Sequence, residues 1–230
     1  MQIEVWSDVV CPWCFIGKRR LEAALARFPH ADQVEVVWRS FQLDPAAVEG
    51  ETHPTLPALA AKYGRSVEEM RAGLQHVEQT AAGEGLRYRL ADAVSGNTLL
   101  AHQLLHLAAE RGLGGEAEEL LFSAYFEQGR SLFDVDSLVE LGVQVGLDAD
   151  EVRAVLADRR YLPAVREDIA TARALGATGV PFFVVDRAYG ASGAQPADVL
   201  LQLLEQAWAA SHPLVTVPAA DGCTDDSCAV

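Results

Sequence analysis

No uninterrupted apolar stretch in this sequence approaches the ~18 residues that a membrane-spanning helix needs, so a helical membrane protein is excluded from the expectations. The opening residues, Met1 through Asp8, supply neither a basic start nor an apolar h-region; no secretory signal is read there, and a cytoplasmic location is expected. Positive charge is scarce: 18 Lys+Arg stand against 33 Asp+Glu, for a formal net charge of −15. A surface of that sign repels phosphate backbones and anionic lipid, which removes nucleic acid and membranes from the expected partners. Internal repeats and low-complexity tracts are both missing, so a repeat array is excluded. Cysteine is sparse, and its 4 copies fall in two close pairs, Cys11/Cys14 and Cys223/Cys228. Structural disulfides are rare in a reducing cytosol, and close pairs there point to metal binding or redox catalysis.

What is present is the composition of a globular protein. Half of the 230 residues are apolar and 22% are charged, enough for one large domain or two small ones around a real core. Residues 2–6 alternate Ile3 and Val5 with Glu4 and Trp6 and predict a short strand. Cys11 then opens a helix: Pro12 suits the first helical position, and Phe15, Ile16, Leu21, Ala24, Leu25 and Phe28 form its apolar face. Residues 34–43, β-branched and aromatic, predict a second strand. Beyond a linker containing Pro54 and Pro57, helical spacing predicts helices near 56–63, 66–83, 97–111, 115–128, 136–145, 149–157 and 161–175. Ser66 followed by Glu69 is a capping-box pattern, and Asp148 before Glu151 is a weaker relative of it. Strand chemistry returns at 180–185 and 188–192 around a turn at Asp186-Arg187, and a helix near 196–210 follows. The order β-α-β, helical block, β-β-α reads as one α/β domain, residues 1–50 and 166–212, interrupted by an all-helical insertion over 51–165. Residues 213–230 form a tail expected to hold little regular structure.

A Cys-x-x-Cys at a helix start has a definite chemical use. Unpaired N–H groups and the positive end of the helix dipole stabilise the thiolate of the first cysteine, so Cys11 is the expected nucleophile. Cys14, one turn deeper on the same face, is placed to attack a mixed disulfide and release the product. Pro12-Trp13 between them tunes the pair. A zinc site is the competing use of such a motif, but it needs two further ligands, and the other cysteines lie more than 200 residues away.

The stretch Ser7-Asp8-x-x-Cys11-Pro12-Trp13-Cys14-x-x-Gly17, with Thr178-Gly179-Val180-Pro181-Phe182-Phe183, resembles the DsbA family of thiol–disulfide oxidoreductases, and within it a cytoplasmic FrnE-like branch. The resemblance covers roughly residues 1–210 and implies a thioredoxin fold with an inserted all-helical domain. It implies that Pro181 is a cis-proline facing the dithiol, and that Val180 offers its backbone to a substrate peptide. Trp13 joins these as a substrate-binding candidate. The family also carries an acid on the first strand that shuttles a proton to the buried second cysteine; Glu4 is the candidate here, with a solvated strand-face acid as the competing reading. Ser95-Gly96-Asn97-Thr98-Leu99-Leu100-Ala101-His102 resembles a stretch bordering the cleft in DsbA-like and glutathione-using relatives, which makes Asn97 and His102 cleft candidates.

On the tail, Cys223-Thr224-Asp225-Asp226-Ser227-Cys228 is a candidate second redox pair, able to close a small loop or exchange with Cys11/Cys14. A non-functional pair and a soft-metal site are the competing readings, and Asp225 and Asp226 raise the tail thiols' pKa values and slow their attack. His102 and His106 have chelating i,i+4 spacing, but without a neighbouring acidic or Cys ligand they are read as one packed and one surface histidine. No metal or organic cofactor is expected. The expected partners are protein disulfides, with glutathione as a further candidate. Two rival functions share the resemblance: a glutathione-dependent isomerase or transferase of the 2-hydroxychromene-2-carboxylate isomerase and kappa-class type, which carries Ser where Cys11 stands, and a polyketide-pathway accessory or holdase.

Overall fold

In a computed structural model the fold is described for residues 1–213. Strand β1 (Gln2–Ser7) leads through helix α1 (Pro12–Leu25) to strand β2 (Glu35–Ser40), which pairs parallel to β1. After the helical block, β5 (Phe182–Val185) returns antiparallel to β1, and β6 (Tyr189–Ser192) pairs antiparallel to β5, giving the sheet order β2-β1-β5-β6. Asp186 and Arg187, both with positive φ, turn the chain between β5 and β6. Helix α9 (Ala197–Ser211) closes the described chain.

Between β2 and β5 run β3 (Thr52–Pro54), α2 (Thr55–Tyr63), α3 (Val67–Gly83), β4 (Val94–Gly96), α4 (Leu99–Glu110), α5 (Gly114–Phe126), α6 (Val135–Val145), α7 (Ala149–Asp158) and α8 (Leu162–Ala174). Each expected helix is found within a few residues of its expected range. The capping box forms at Ser66 and Glu69, and Asp148 caps α7 by accepting from the Asp150 and Glu151 amides. Two details differ from the sequence reading. The insertion is not all-helical, because β3 and β4 pair antiparallel; at three residues each they are too short to show a period-2 pattern. The expected boundary between 165 and 166 falls inside α8, a continuous helix that packs on β2.

Both faces of the sheet are covered, and β1 is therefore buried from Ile3 through Ser7 with no solvent-exposed face. On one side Ile3, Val5, Phe183 and Val185 pack with Leu21, Phe28, Leu200 and Leu204 of the α1/α9 layer. On the other, Trp6, Phe182 and Val184 pack with Ala172 and Ala177 around α8, and the Trp6 indole N–H donates to the Asp168 carbonyl at 2.8 Å. A third core fills the helical block and takes in Cys11, Cys14, Phe15 and Ile16 from the start of α1. The cysteine pair thus sits where the sheet unit and the helical block share a core.

Candidate functional site

Cys11 is the N-cap of α1, with Pro12 in the first turn and no side chain capping that end. The positive end of the helix dipole is therefore left facing the Cys11 sulfur. Cys11 Sγ lies 3.5 Å from the Val180 carbonyl oxygen, and the Val180–Pro181 peptide bond is cis. Gly17, farther along α1, permits this approach: a Cβ there would stand 3.0 Å from Pro181 Cγ and 3.2 Å from Phe183 Cζ. Both cysteines are free thiols. Cys14 is buried, and its pKa is driven well above the ordinary thiol value by burial and by the adjacent Cys11; the Asp8 backbone and the Ser7 hydroxyl pull against that rise. An asymmetric pair results, in which the outer sulfur borders a cleft and the inner one, off the cleft, holds its proton more tightly.

The outer sulfur opens on a cleft of about 740 Å³. Cys11, Trp13 and Val180 form one wall, and Leu59, Met70 and Leu74 of α2 and α3 form the facing one. Trp13, 37% exposed, is the largest side chain beside Cys11 at the cleft. Beneath Pro12, the Tyr88 hydroxyl donates to the Pro12 carbonyl at 2.7 Å, and its ring stacks on Phe126 at 4.7 Å between centroids. Burial, with the two cysteines adding to it, raises the Tyr88 phenol far above its usual range, so it stays a neutral donor that fixes the Cys11–Pro12 turn.

Below the dithiol lies a buried polar layer. Ser7 Oγ donates to Glu118 Oε1 at 2.8 Å, and Asp8 Oδ2 accepts from the Leu43 amide at 2.8 Å. Asp8 Oδ1 faces His102 Nε2 at 3.4 Å. Among the described residues, Asp8 Oδ1, both ring nitrogens of His102 and both amide atoms of Gln103 have no hydrogen-bond partner. Burial pushes the Glu118 carboxyl up to about 7, against the opposing pull of Ser7, His102 and Lys18.

Four residues are placed differently from their sequence reading. Glu4 is not a solvated acid: it is 1% exposed, accepts from Arg187 Nε at 2.7 Å and from Arg39 Nε at 3.0 Å. Burial raises its carboxyl, but the two guanidinium groups outweigh that and hold it below the ordinary value. Asn97 does not line the cleft; its side chain braces the chain by accepting from Gln42 Nε2 at 3.1 Å and the Leu99 amide at 2.9 Å while donating to the Ala47 carbonyl at 2.7 Å. His102 is likewise absent from the cleft wall and belongs to the buried layer. Of the pair read as one packed and one surface histidine, His106 is half-buried rather than on the surface, with Nε2 at 3.2 Å from Asp168 Oδ2 and 3.1 Å from Ser40 Oγ. No cluster of metal-ligating side chains occurs among the described residues. Cys223 and Cys228 lie outside the described residues.

Ser7, Asp8, Tyr88 and Glu118 were not singled out as functional from the sequence. For Glu118 a signal exists: residues 118, 121, 122 and 125 share one helical face, and Leu121, Phe122 and Tyr125 are plainly core. In the sequence, Glu116 and Glu119 flank it in a short acidic run that hides this buried position.

Comparison with known proteins agrees with this geometry. Residues 2–205 match the family described as DSBA-like thioredoxin domain. A probable DsbA oxidoreductase from Streptomyces coelicolor is 52% identical, covering 100% of this chain and 99% of that one, with a TM-score of 0.89. The uncharacterized protein YwbO of Bacillus subtilis (strain 168) is 29% identical over 80% of this chain and 86% of its own length. At 19% identity, a cytosolic disulfide reductase from Pseudomonas aeruginosa, DsbM, shares the fold over 90% of this chain and 98% of its own, with a TM-score of 0.61. A sheet carrying a helix-capping Cys-x-x-Cys opposite a cis-proline, and a family match running from β1 into α9, lead to one conclusion: the chain belongs to the DSBA-like thioredoxin domain family of thiol–disulfide oxidoreductases.

Proposed function

We propose that this protein exchanges disulfides with protein substrates through Cys11 and Cys14. The observation that carries the reading is the asymmetry of the pair: Cys11 sits at an uncapped helix N-terminus on the cleft, and Cys14 lies buried beneath it with a raised pKa. In the reducing direction the Cys11 thiolate attacks one sulfur of the substrate disulfide, forms a mixed disulfide and releases the first substrate thiolate. Cys14 then loses its proton and attacks Cys11 Sγ. The mixed disulfide breaks, the Cys11–Cys14 bond forms, and the second substrate thiolate leaves, so the substrate gains the two electrons that the dithiol gives up. The oxidising direction is the same path reversed, and the partner that resets the dithiol sets the direction.

The backbone of Val180 beside Cys11 supports strand-like pairing with an extended substrate, and the apolar wall of α2 and α3 supports a site for the side chains flanking the substrate cysteine. A cytoplasmic location belongs to this reading; no helix among the described residues is long and apolar enough to cross a membrane, and the Pseudomonas neighbour is named cytosolic. The cleft also has room for glutathione as a resetting thiol.

Insulin reduction with single substitutions tests the reading. Cys11→Ser removes activity, while Cys14→Ser accumulates a covalent complex with substrate that dithiothreitol releases. A Cys11→Ser variant that still conjugates or isomerises with glutathione would instead establish the isomerase/transferase reading. Undiminished function with both cysteines replaced would establish a holdase.

A further inference from the structure

Cys14 poses a problem for any exchange reaction. It must become a thiolate to resolve the mixed disulfide, yet it is buried among apolar side chains and is not part of the cleft wall. Its proton needs a route that does not pass through the bound substrate. From the geometry around β1 we infer that Glu118, on α5 of the helical insertion, takes up and returns the Cys14 proton through the Ser7 hydroxyl, and that it exchanges that proton with solvent through a second cleft beside the edge strand β2. The inference rests on the dithiol reading above.

Ser7 is 2% exposed; its hydroxyl lies 2.8 Å from Glu118 Oε1 and is one of the groups that pull against the rise of the Cys14 pKa. Its proton is donated to Glu118, so its oxygen is free to receive another. Glu118 in turn forms part of the wall of a cleft of about 380 Å³, bounded by Ser40 at the end of β2 and by Leu105, His106, Ala109 and Gly115. None of the residues bounding this cleft belongs to the substrate cleft. A bound substrate therefore leaves the proton exit open.

The charged and titratable groups facing Glu118 are Asp8 on the loop after β1, Lys18 on α1 and His102 on α4. The Lys18 ammonium is engaged by Glu22 at 2.5 Å and Glu119 at 2.6 Å, so it does not close an ion pair with Glu118. Burial leaves the Glu118 carboxyl near 7, where accepting and returning a proton are both accessible at neutral pH. Glu4 is poorly suited to the same task, because its oxygens are engaged by Arg39 and Arg187 and its carboxyl is held low.

The transfer balances. The Cys14 S–H bond breaks as its proton passes to Ser7 Oγ, and the proton already on Ser7 passes to Glu118, leaving Ser7 neutral and Glu118 a carboxylic acid. The Cys14 thiolate attacks Cys11 Sγ, the mixed disulfide breaks, and the electron pair leaves on the substrate sulfur. Glu118 then releases its proton to water in the second cleft.

The test separates the two sulfurs. In the full-length chain carrying Cys223→Ser and Cys228→Ser, stopped-flow reaction with 5,5′-dithiobis(2-nitrobenzoate) releases one thionitrobenzoate when Cys11 attacks and a second when Cys14 resolves. The second phase is followed from about pH 5 to pH 9, across the titration of Glu118. Its rate is expected to rise with a bend near 7, the value at which Glu118 titrates. Glu118→Gln removes that bend and slows the second phase about tenfold or more at pH 7, with the first phase changed less than about twofold. Ser7→Ala reproduces the defect, and Ser7→Thr, which keeps the hydroxyl, restores most of the rate. A second phase in Glu118→Gln that retains the parental rate and bend overturns the relay, as does a Ser7→Ala variant that behaves like its parent. A parent protein with no second phase overturns the dithiol reading and the relay together.

Discussion

Two buried acids with opposite environments give this protein opposite pH signatures. Glu4 is matched by Arg39 and Arg187 and is held below 4.5, so its contribution to stability is present above the ordinary carboxylate pKa and is lost as pH falls through the lower folded value. Glu4→Gln leaves a buried site with guanidinium groups and no charge to meet them. Both arginines are partly exposed, which reduces the penalty, and a loss of about 1–3 kcal/mol near neutrality is expected. Urea unfolding checks this: the gap between variant and wild type narrows as the pH drops below the folded pKa. Glu118 runs the other way. Its folded carboxyl binds a proton more tightly than the unfolded one, so stability is greatest below about 4.5 and is lost as pH rises through about 7. Glu118→Gln escapes that loss; relative to wild type it gains on the order of 3 kcal/mol between those limits by the linkage relation. A wild-type-minus-variant difference that is flat with pH contradicts the assignment of Glu118 as the raised acid.

Among the elements, α1 carries the most information per residue, because one helix and its N-cap supply both cysteines of the proposed dithiol and the contact with the cis-proline loop. Gly17→Ala tests that last role. Ala is favoured over Gly within a helix by about 1 kcal/mol, yet a Cβ at 17 would stand 3.0 Å from Pro181 Cγ. Overpacking of that kind costs about 1–3 kcal/mol and wins over the propensity gain. The expected result is a net destabilisation of about 1 kcal/mol in thermal or urea unfolding, with slower insulin reduction because the loop facing Cys11 shifts. The elements were legible where periodicity was long: the helices of the insertion announce themselves by apolar spacing, and β1, β5 and α9 by composition. They were not legible where the signal is a few residues or wholly tertiary. In the β3–β4 pair, Gly96 leaves room for a tertiary contact, since a Cβ there would meet the Phe133 ring at 2.8 Å. Likewise, residues 34–43 read as one strand, but pairing with β1 ends at Ser40, and Phe41 turns into the core around α8.

At the scale of the whole molecule, the helical insertion does more than cover a sheet. It supplies one wall of the cleft at Cys11 through α2 and α3 and the buried layer under the dithiol through α4 and α5. This explains which half of the site the sequence disclosed. Cys11, Cys14, Val180, Pro181 and Trp13 were readable because their motifs are local. Asn97 and His102 were misplaced because a position in the chain near the cleft does not say which way a side chain points. Glu118 reaches Ser7 across 111 positions of chain, a contact that no local pattern encodes. Cys11 and Cys14 by themselves suffice for a two-electron exchange, so Cys223→Ser/Cys228→Ser is expected to retain most of the insulin reductase activity, and complete loss would assign the tail pair an obligatory role. The central claim is that Cys11 and Cys14 form one two-electron couple, and redox titration in glutathione buffers, read by mass spectrometry of the alkylated chain, tests it most directly. The account predicts a single two-electron transition to a Cys11–Cys14 disulfide, lost in Cys11→Ser; two cysteines that stay reduced or are glutathionylated independently across the titration would contradict it.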